Sequence, residues 1–176
     1  MPEWKRTDYL LLRRRYEPEP EKISLVIIAE SPPRSGRYFY NPTGAITEPL
    51  FSALMRQLGI SAISKEDGLQ AFQQRGWVLI DATYEPVNAL SCLKRDGVIA
   101  RDYPLLRDDL TSLIPDRASP VVLIKANVCR ILEPKLADDG FNVLNRGRII
   151  YFPSSGRQGD FHRQFSAVTG RVGGWP

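Results

Sequence analysis

Four short apolar runs, each ending in polar chemistry, constrain this chain more than any other feature. They are Ile23-Ser-Leu-Val-Ile-Ile-Ala29, Trp77-Val-Leu-Ile80, Pro120-Val-Val-Leu-Ile-Lys125 and Arg148-Ile-Ile-Tyr-Phe152. Continuous β-branched runs of this length read as strands buried on both faces, the habit of a parallel sheet covered by helices. Segments of helical character lie between them. Trp4–Tyr16 carries a partial stripe of Tyr9, Leu10, Leu12 and Tyr16, and Glu17-Pro-Glu-Pro-Glu breaks it. Thr47 is placed to cap a helix through Leu58, with Pro49 in its first turn and Gly59 at its end. Ser64-Lys-Glu-Asp67 resembles a capping box opening a helix that stops near Arg75-Gly76. Further helices are predicted over Pro104–Ile114, Asn127–Leu136 and Asp160–Val168, with an irregular stretch from Asp81 to about Arg101. Strands alternating with helices predict a single α/β domain over 1–176: a three-layer α/β/α sandwich around a central four-stranded parallel sheet. The N-terminal helix spans 4–16 and the core 23–168.

Composition excludes several classes. At 43% apolar and 25% charged the balance is that of a globular protein, and 176 residues suit one domain. No apolar run approaches a membrane span, and the first residues lack the pattern of a secretory leader. A cytoplasmic protein is expected, nucleoid-associated in a prokaryote. Only Cys92 and Cys129 are present, and their spacing fits no zinc or iron–sulfur pattern; a lone His162 rules out a multi-histidine site. No metal or cofactor is expected. The net charge of +4 is mild, but the arginines cluster at 13–15, at Arg34 and Arg37, at Arg146 and Arg148, and at Arg157, Arg163 and Arg171. Such a distribution suits either phosphate contacts or a solvated basic face.

In an open parallel sheet the C-terminal strand ends share one edge, where ligands bind. Here those ends carry Glu30, Asp81, Lys125 and the Pro153–Gly156 turn. A carboxylate at Glu30 needs a cation, water or substrate charge, and a salt-bridged or capping Glu is the plain alternative. Asp81 reads equally as a turn residue. Phe39, within Arg37-Tyr-Phe-Tyr-Asn-Pro, reads as core or as a stacking platform. Phe152-Pro-Ser-Ser-Gly-Arg-Gln-Gly before a helix reads as a plain connection or a phosphate cradle.

Together these pieces resemble the uracil-DNA glycosylase superfamily, in order and from Ile23 to Val168. Ala29-Glu-Ser-Pro-Pro33 resembles its Gly-Glu-Ala-Pro-Gly motif after the first strand. Phe39-Tyr-Asn-Pro42 is similar to the Phe-Ala-His-Pro segment whose Phe stacks on the base. Gly76-Trp-Val-Leu-Ile-Asp-Ala82 looks like the strand ending in the base-reading Asn, with Asp81 in its place. Phe152-Pro-Ser-Ser-Gly156 is similar to the closing His-Pro-Ser or Asn-Pro-Ser-Gly motif. The chain departs from the pattern at Ser31, where some branches carry a catalytic Asp or Asn, and at Phe152, where the classical branch has His. The resemblance is thus to a divergent member of the superfamily, one without an iron–sulfur cluster.

The resemblance implies a monomeric, monofunctional base-excision enzyme that hydrolyses the N-glycosidic bond of a flipped-out uracil. Glu30 and Asp81 are then the catalytic candidates, and Phe39, Asp81 and Ser31 hold the base. Ser154, Ser155 and Gly156 grip the flanking phosphate, and Arg157 or Gln158 fills the hole in the helix, although the family's wedge leucine falls on Gly156. An ionised Asp81 only accepts hydrogen bonds, so either burial keeps it protonated or recognition extends to deaminated purines. Two other readings stay open: a binder of damaged or abasic DNA without efficient turnover, and a nucleoside-processing α/β hydrolase independent of DNA.

Overall fold

The computed structural model describes residues 3–170, so Arg171 lies outside the described residues. Its centre is β1 (Leu25–Ala29), flanked by β2 (Trp77–Asp81) and β3 (Val121–Leu123) in the order β2-β1-β3, all parallel. All five residues of β1 are buried, as expected of a central strand covered on both faces. Successive side chains alternate between the faces. Leu25, Ile27 and Ala29 join a core with α1 (Arg6–Arg14), α2 (Pro49–Leu58), α3 (Lys65–Gln74) and α7 (Gln158–Thr169). Val26 and Ile28 join a second core with α4 (Cys92–Arg101), α5 (Tyr103–Leu113) and α6 (Ala126–Asp138). The class is α/β, with helices over both faces of the sheet.

The sheet has three strands among the described residues, not the four expected, because the outer edge of β3 is satisfied piecemeal. Val121 N–H donates to Asn142 O, and Leu144 N–H donates to Val121 O. The Asn145 carboxamide then replaces a whole residue of strand. Its Oδ1 accepts from Leu123 N–H at 3.0 Å, and its Nδ2 donates to Leu123 O at 2.9 Å. Only after that does segment 148–152 arrive, where Ile150 O accepts from Lys125 N–H at 2.8 Å. One contact is not a ladder, so the apolar Arg148–Phe152 run packs without becoming a strand. The other edge is closed in the same way. Tyr40 Oη accepts from Leu79 N–H at 2.7 Å and donates to Leu79 O at 3.0 Å. Side chains thus occupy backbone groups that otherwise template edge-to-edge pairing.

Three smaller expectations need correction. The stretch after Asp81 contains α4, and Cys92, expected in a loop, opens that helix and is exposed. Only Ile99 of α4 is buried, so the helix shows no apolar stripe to read. The residue preceding α2 is Glu48, not Thr47, with Pro49 in the first turn. Arg13, counted with its neighbours as a basic run, is buried. Its guanidinium grips both oxygens of Asp109 at 2.6 and 2.7 Å and also donates to Tyr84 and Glu17. The Ser64 cap of α3 stands as expected, with its Oγ accepting from Asp67 N–H. Among the described residues no helix is long and apolar enough to cross a membrane.

Candidate active site

Parallel pairing sets Ala29 beside Asp81, so Glu30, the next residue of the chain, and Asp81 leave neighbouring strands at the same edge. Their side chains belong to opposite faces by alternation, and both line one cleft of about 310 Å³. Glu30 is 7% exposed and held from the α4 and α6 side. Lys125 Nζ donates to its Oε2 at 2.5 Å, Asn127 Nδ2 donates to Oε1 at 2.7 Å, and Arg95 Nε lies 3.6 Å from Oε1. Such partners offset the cost of burying the charge. Lys125 immediately precedes α6 with φ 89° and ψ 137°, a backbone conformation that non-glycine residues rarely adopt.

Asp81 is the opposite kind of carboxylate. It is 4% exposed, and its Oδ2 has no hydrogen-bond partner among the described residues. Burial pushes its pKa up to about 7; the Arg13 charge pulls the other way, while Asp109 and Glu30 add to the rise. Asp81 also lines a second cavity, of about 290 Å³, with Thr83, Tyr84, Arg101 and Asp109. A carboxyl group that titrates near neutrality can both donate and accept at one site.

Phe39 reaches the cleft because the loop carrying it is tied down on both sides. Tyr40 is anchored to Leu79 as described, and Lys65, fully buried at the start of α3, donates to Tyr38 O at 2.7 Å and Glu48 Oε2 at 2.6 Å. Burial lowers the Lys65 pKa, and the Glu48 contact opposes that shift. Phe39 meets Tyr40 and Phe72 edge-on and Phe51 at a tilt, and is 6% exposed. It is therefore a core residue that also forms cleft wall. Ser31 lines the cleft and is half-buried, its Oγ accepting from Val87 N–H at 3.4 Å.

The Pro153–Gly156 turn follows Phe152, which lines the cleft, but none of residues 154–158 lines it. Ser154, Ser155, Gly156 and Arg157 are exposed. Ser154 N–H donates to Phe152 O within the turn, and Arg157 N–H, just past it, donates back to Ser154 O. Gln158 donates its side-chain amide to Pro153 O and so is engaged within the turn. Arg157 stacks 4.2 Å above the Tyr151 ring and pairs with Asp160. Of the two residues expected to fill the duplex, Arg157 is the exposed one.

Sequence reasoning noted Lys125 as a strand-end residue without giving it a role, and missed Asn127, Arg95 and Lys65 as supports. The strand-end position was the only available signal, because the partners of Glu30 lie 65 to 97 residues away along the chain. Neither comparison with protein-family models nor comparison with curated proteins finds a match for this chain.

Proposed function

We propose that this protein hydrolyses the N-glycosidic bond of a base extruded from DNA, as a divergent enzyme of the uracil-DNA glycosylase type. The observation that carries the reading is the pairing of two unlike carboxylates in one aromatic-walled cleft: Glu30 ion-paired, and Asp81 buried with one oxygen unpartnered. The cleft volume lies at the small end of the about 300–1,000 Å³ typical of ligand pockets, which suits a single nucleoside.

A base must leave the stack before its glycosidic bond can be reached. In this reading Phe39 meets the extruded ring, and protonated Asp81 donates to a base carbonyl while accepting from a neighbouring ring N–H, as an amide does. Cleavage leaves positive charge on the sugar and negative charge on the base. The Glu30 carboxylate stabilises the first and orients the attacking water, while Lys125 holds that carboxylate in place. Water oxygen bonds to C1′ as the C–N bond breaks, the base leaves with its electron pair, and the proton released by the water passes to Glu30.

The close engagement of both Glu30 oxygens favours one other reading, a binder of damaged or abasic DNA that does not turn over. Oligonucleotides carrying a single uracil, hypoxanthine or xanthine distinguish the two. An enzyme creates alkali-labile sites; a binder gives a gel shift alone. Glu30→Gln and Asp81→Ala are expected to lower cleavage strongly. Phe39→Leu, which keeps most of the core volume, is expected to weaken it by the about 1–3 kcal/mol of a lost stacking contact. Undiminished cleavage by all three variants overturns the site.

A further inference from the structure

Lys125 is the one amine in the cleft lining among the described residues, and its placement exceeds what an ion pair requires. Many surface lysines reach a carboxylate from relaxed backbone. Here a non-glycine residue holds φ 89° and ψ 137° at the start of α6. Strain of that kind persists where surrounding structure imposes it, characteristically at active sites. The imposing bonds are Lys125 N–H to Ile150 O and Cys129 N–H back to Lys125 O. The Lys125 side chain remains 30% exposed and lines the cleft while its nitrogen touches Glu30.

Resting on the reading that this cleft receives a sugar freed of its base, we infer that Lys125 is a nucleophile which forms an imine with the C1′ aldehyde of an abasic deoxyribose and cleaves the strand beside it. The ammonium first gives a proton to Glu30 Oε2, its contact at 2.5 Å. The neutral amine then attacks C1′ of the open-chain sugar, forming the N–C bond. Glu30 returns the proton to the former aldehyde oxygen and takes one from the nitrogen. The carbinolamine hydroxyl, protonated in turn by Glu30, departs as water and leaves a positively charged imine. That charge draws electrons from C2′, whose proton passes to the restored Glu30 carboxylate. A C2′–C3′ double bond forms as the C3′–O bond breaks, and the 3′ phosphate leaves with the electron pair. Water then hydrolyses the imine and frees the lysine. No oxidant, metal or cofactor enters the balance, and amine catalysis by imine formation is a general route for carbonyl substrates.

The test uses the full chain with an oligonucleotide containing a preformed abasic site and cyanoborohydride, which reduces an imine to a stable amine. A covalent protein–DNA adduct that maps to the peptide containing Lys125, is lost in Lys125→Arg, and falls in Glu30→Gln supports the inference. No adduct, an adduct on another amine such as the N-terminus, or an adduct undiminished in Lys125→Arg overturns it. Mapping on the unaltered protein makes the answer independent of how well the variants fold. A parallel uracil oligonucleotide separates the two claims. Uracil release without an adduct sinks the imine alone, whereas an adduct without uracil release sinks the glycosylase reading and leaves the lyase standing.

Discussion

Two acidic residues at adjacent strand tips meet opposite fates because their surroundings differ. Glu30 has a lysine, an asparagine amide and an arginine within reach, whereas Asp81 has an oxygen with no partner. Folding therefore takes up a proton at Asp81, whose pKa rises from 3.8 to about 7. The stability tied to the protonated form is complete below the unfolded pKa and is lost as the pH climbs through 7. Asp81→Asn, uncharged throughout, is expected to match or slightly trail the parent near pH 4 and to gain on it up to about pH 8. At about 1.4 kcal/mol per pKa unit the gap reaches on the order of 4 kcal/mol. Urea unfolding at pH 5 and pH 8 reads it; an equal difference at both pH values refutes a neutral Asp81. The same residue sets an expected activity profile. Uracil release by the parent falls above pH 7, and that limb flattens in Asp81→Asn.

At the scale of elements, the short sheet survives because side chains finish its ladders. Tyr40 closes β2 at Leu79, and Asn145 closes β3 at Leu123. These two residues also aim the site. Tyr40 pins the loop so that its neighbour Phe39 forms cleft wall, and Asn145 leads into the segment that supplies Ile150 O to Lys125. Asn145→Leu leaves the N–H of Leu123 buried without a partner and its C=O with only the weak Cys129 thiol donor at 3.4 Å, at about 1–3 kcal/mol for an unsatisfied group. A loss of roughly 2–5 kcal/mol in denaturant unfolding is expected, with Asn145→Asp intermediate because it keeps the acceptor. If Asn145→Leu unfolds at the parent's denaturant concentration, the carboxamide is not the surrogate strand described here.

For the molecule as a whole, the arginines divide by position. Arg13 is interior, tying α1 to α5 through Asp109. Arg14 lines a separate cavity that shares no residue with the cleft. Arg34, Arg37 and Arg157 are exposed, and Arg37 lines the cleft itself. DNA binding at the cleft therefore predicts unequal salt sensitivity. Arg37→Ala should weaken binding to any sequence and reduce the slope of log affinity against log salt by about one, the signature of a lost phosphate contact. Arg14→Ala should leave the slope unchanged. Binding titrations at several salt concentrations check both; equal effects at the two positions count against the cleft as the DNA face.

Much of this architecture is written locally. The β-branched run ending at Ala29 and the run ending at Ile80 declare buried strands by short-range pattern, and their successors Glu30 and Asp81 declare the cleft edge because parallel strands share one direction. Segment 148–152 carries the same pattern and still forms no strand, since its would-be ladder position at Leu123 is taken by a side chain at Asn145. Desolvation and choice of partner are likewise beyond local pattern. Lys125 meets Glu30 across 95 residues, and Arg13 meets Asp109 across 96. Residue order thus determined which chemical groups stand at the sheet's edge. Only the packed structure decided which of them are charged, which are strained and which are left without a partner, because those properties depend on neighbours brought together from the whole length of the chain.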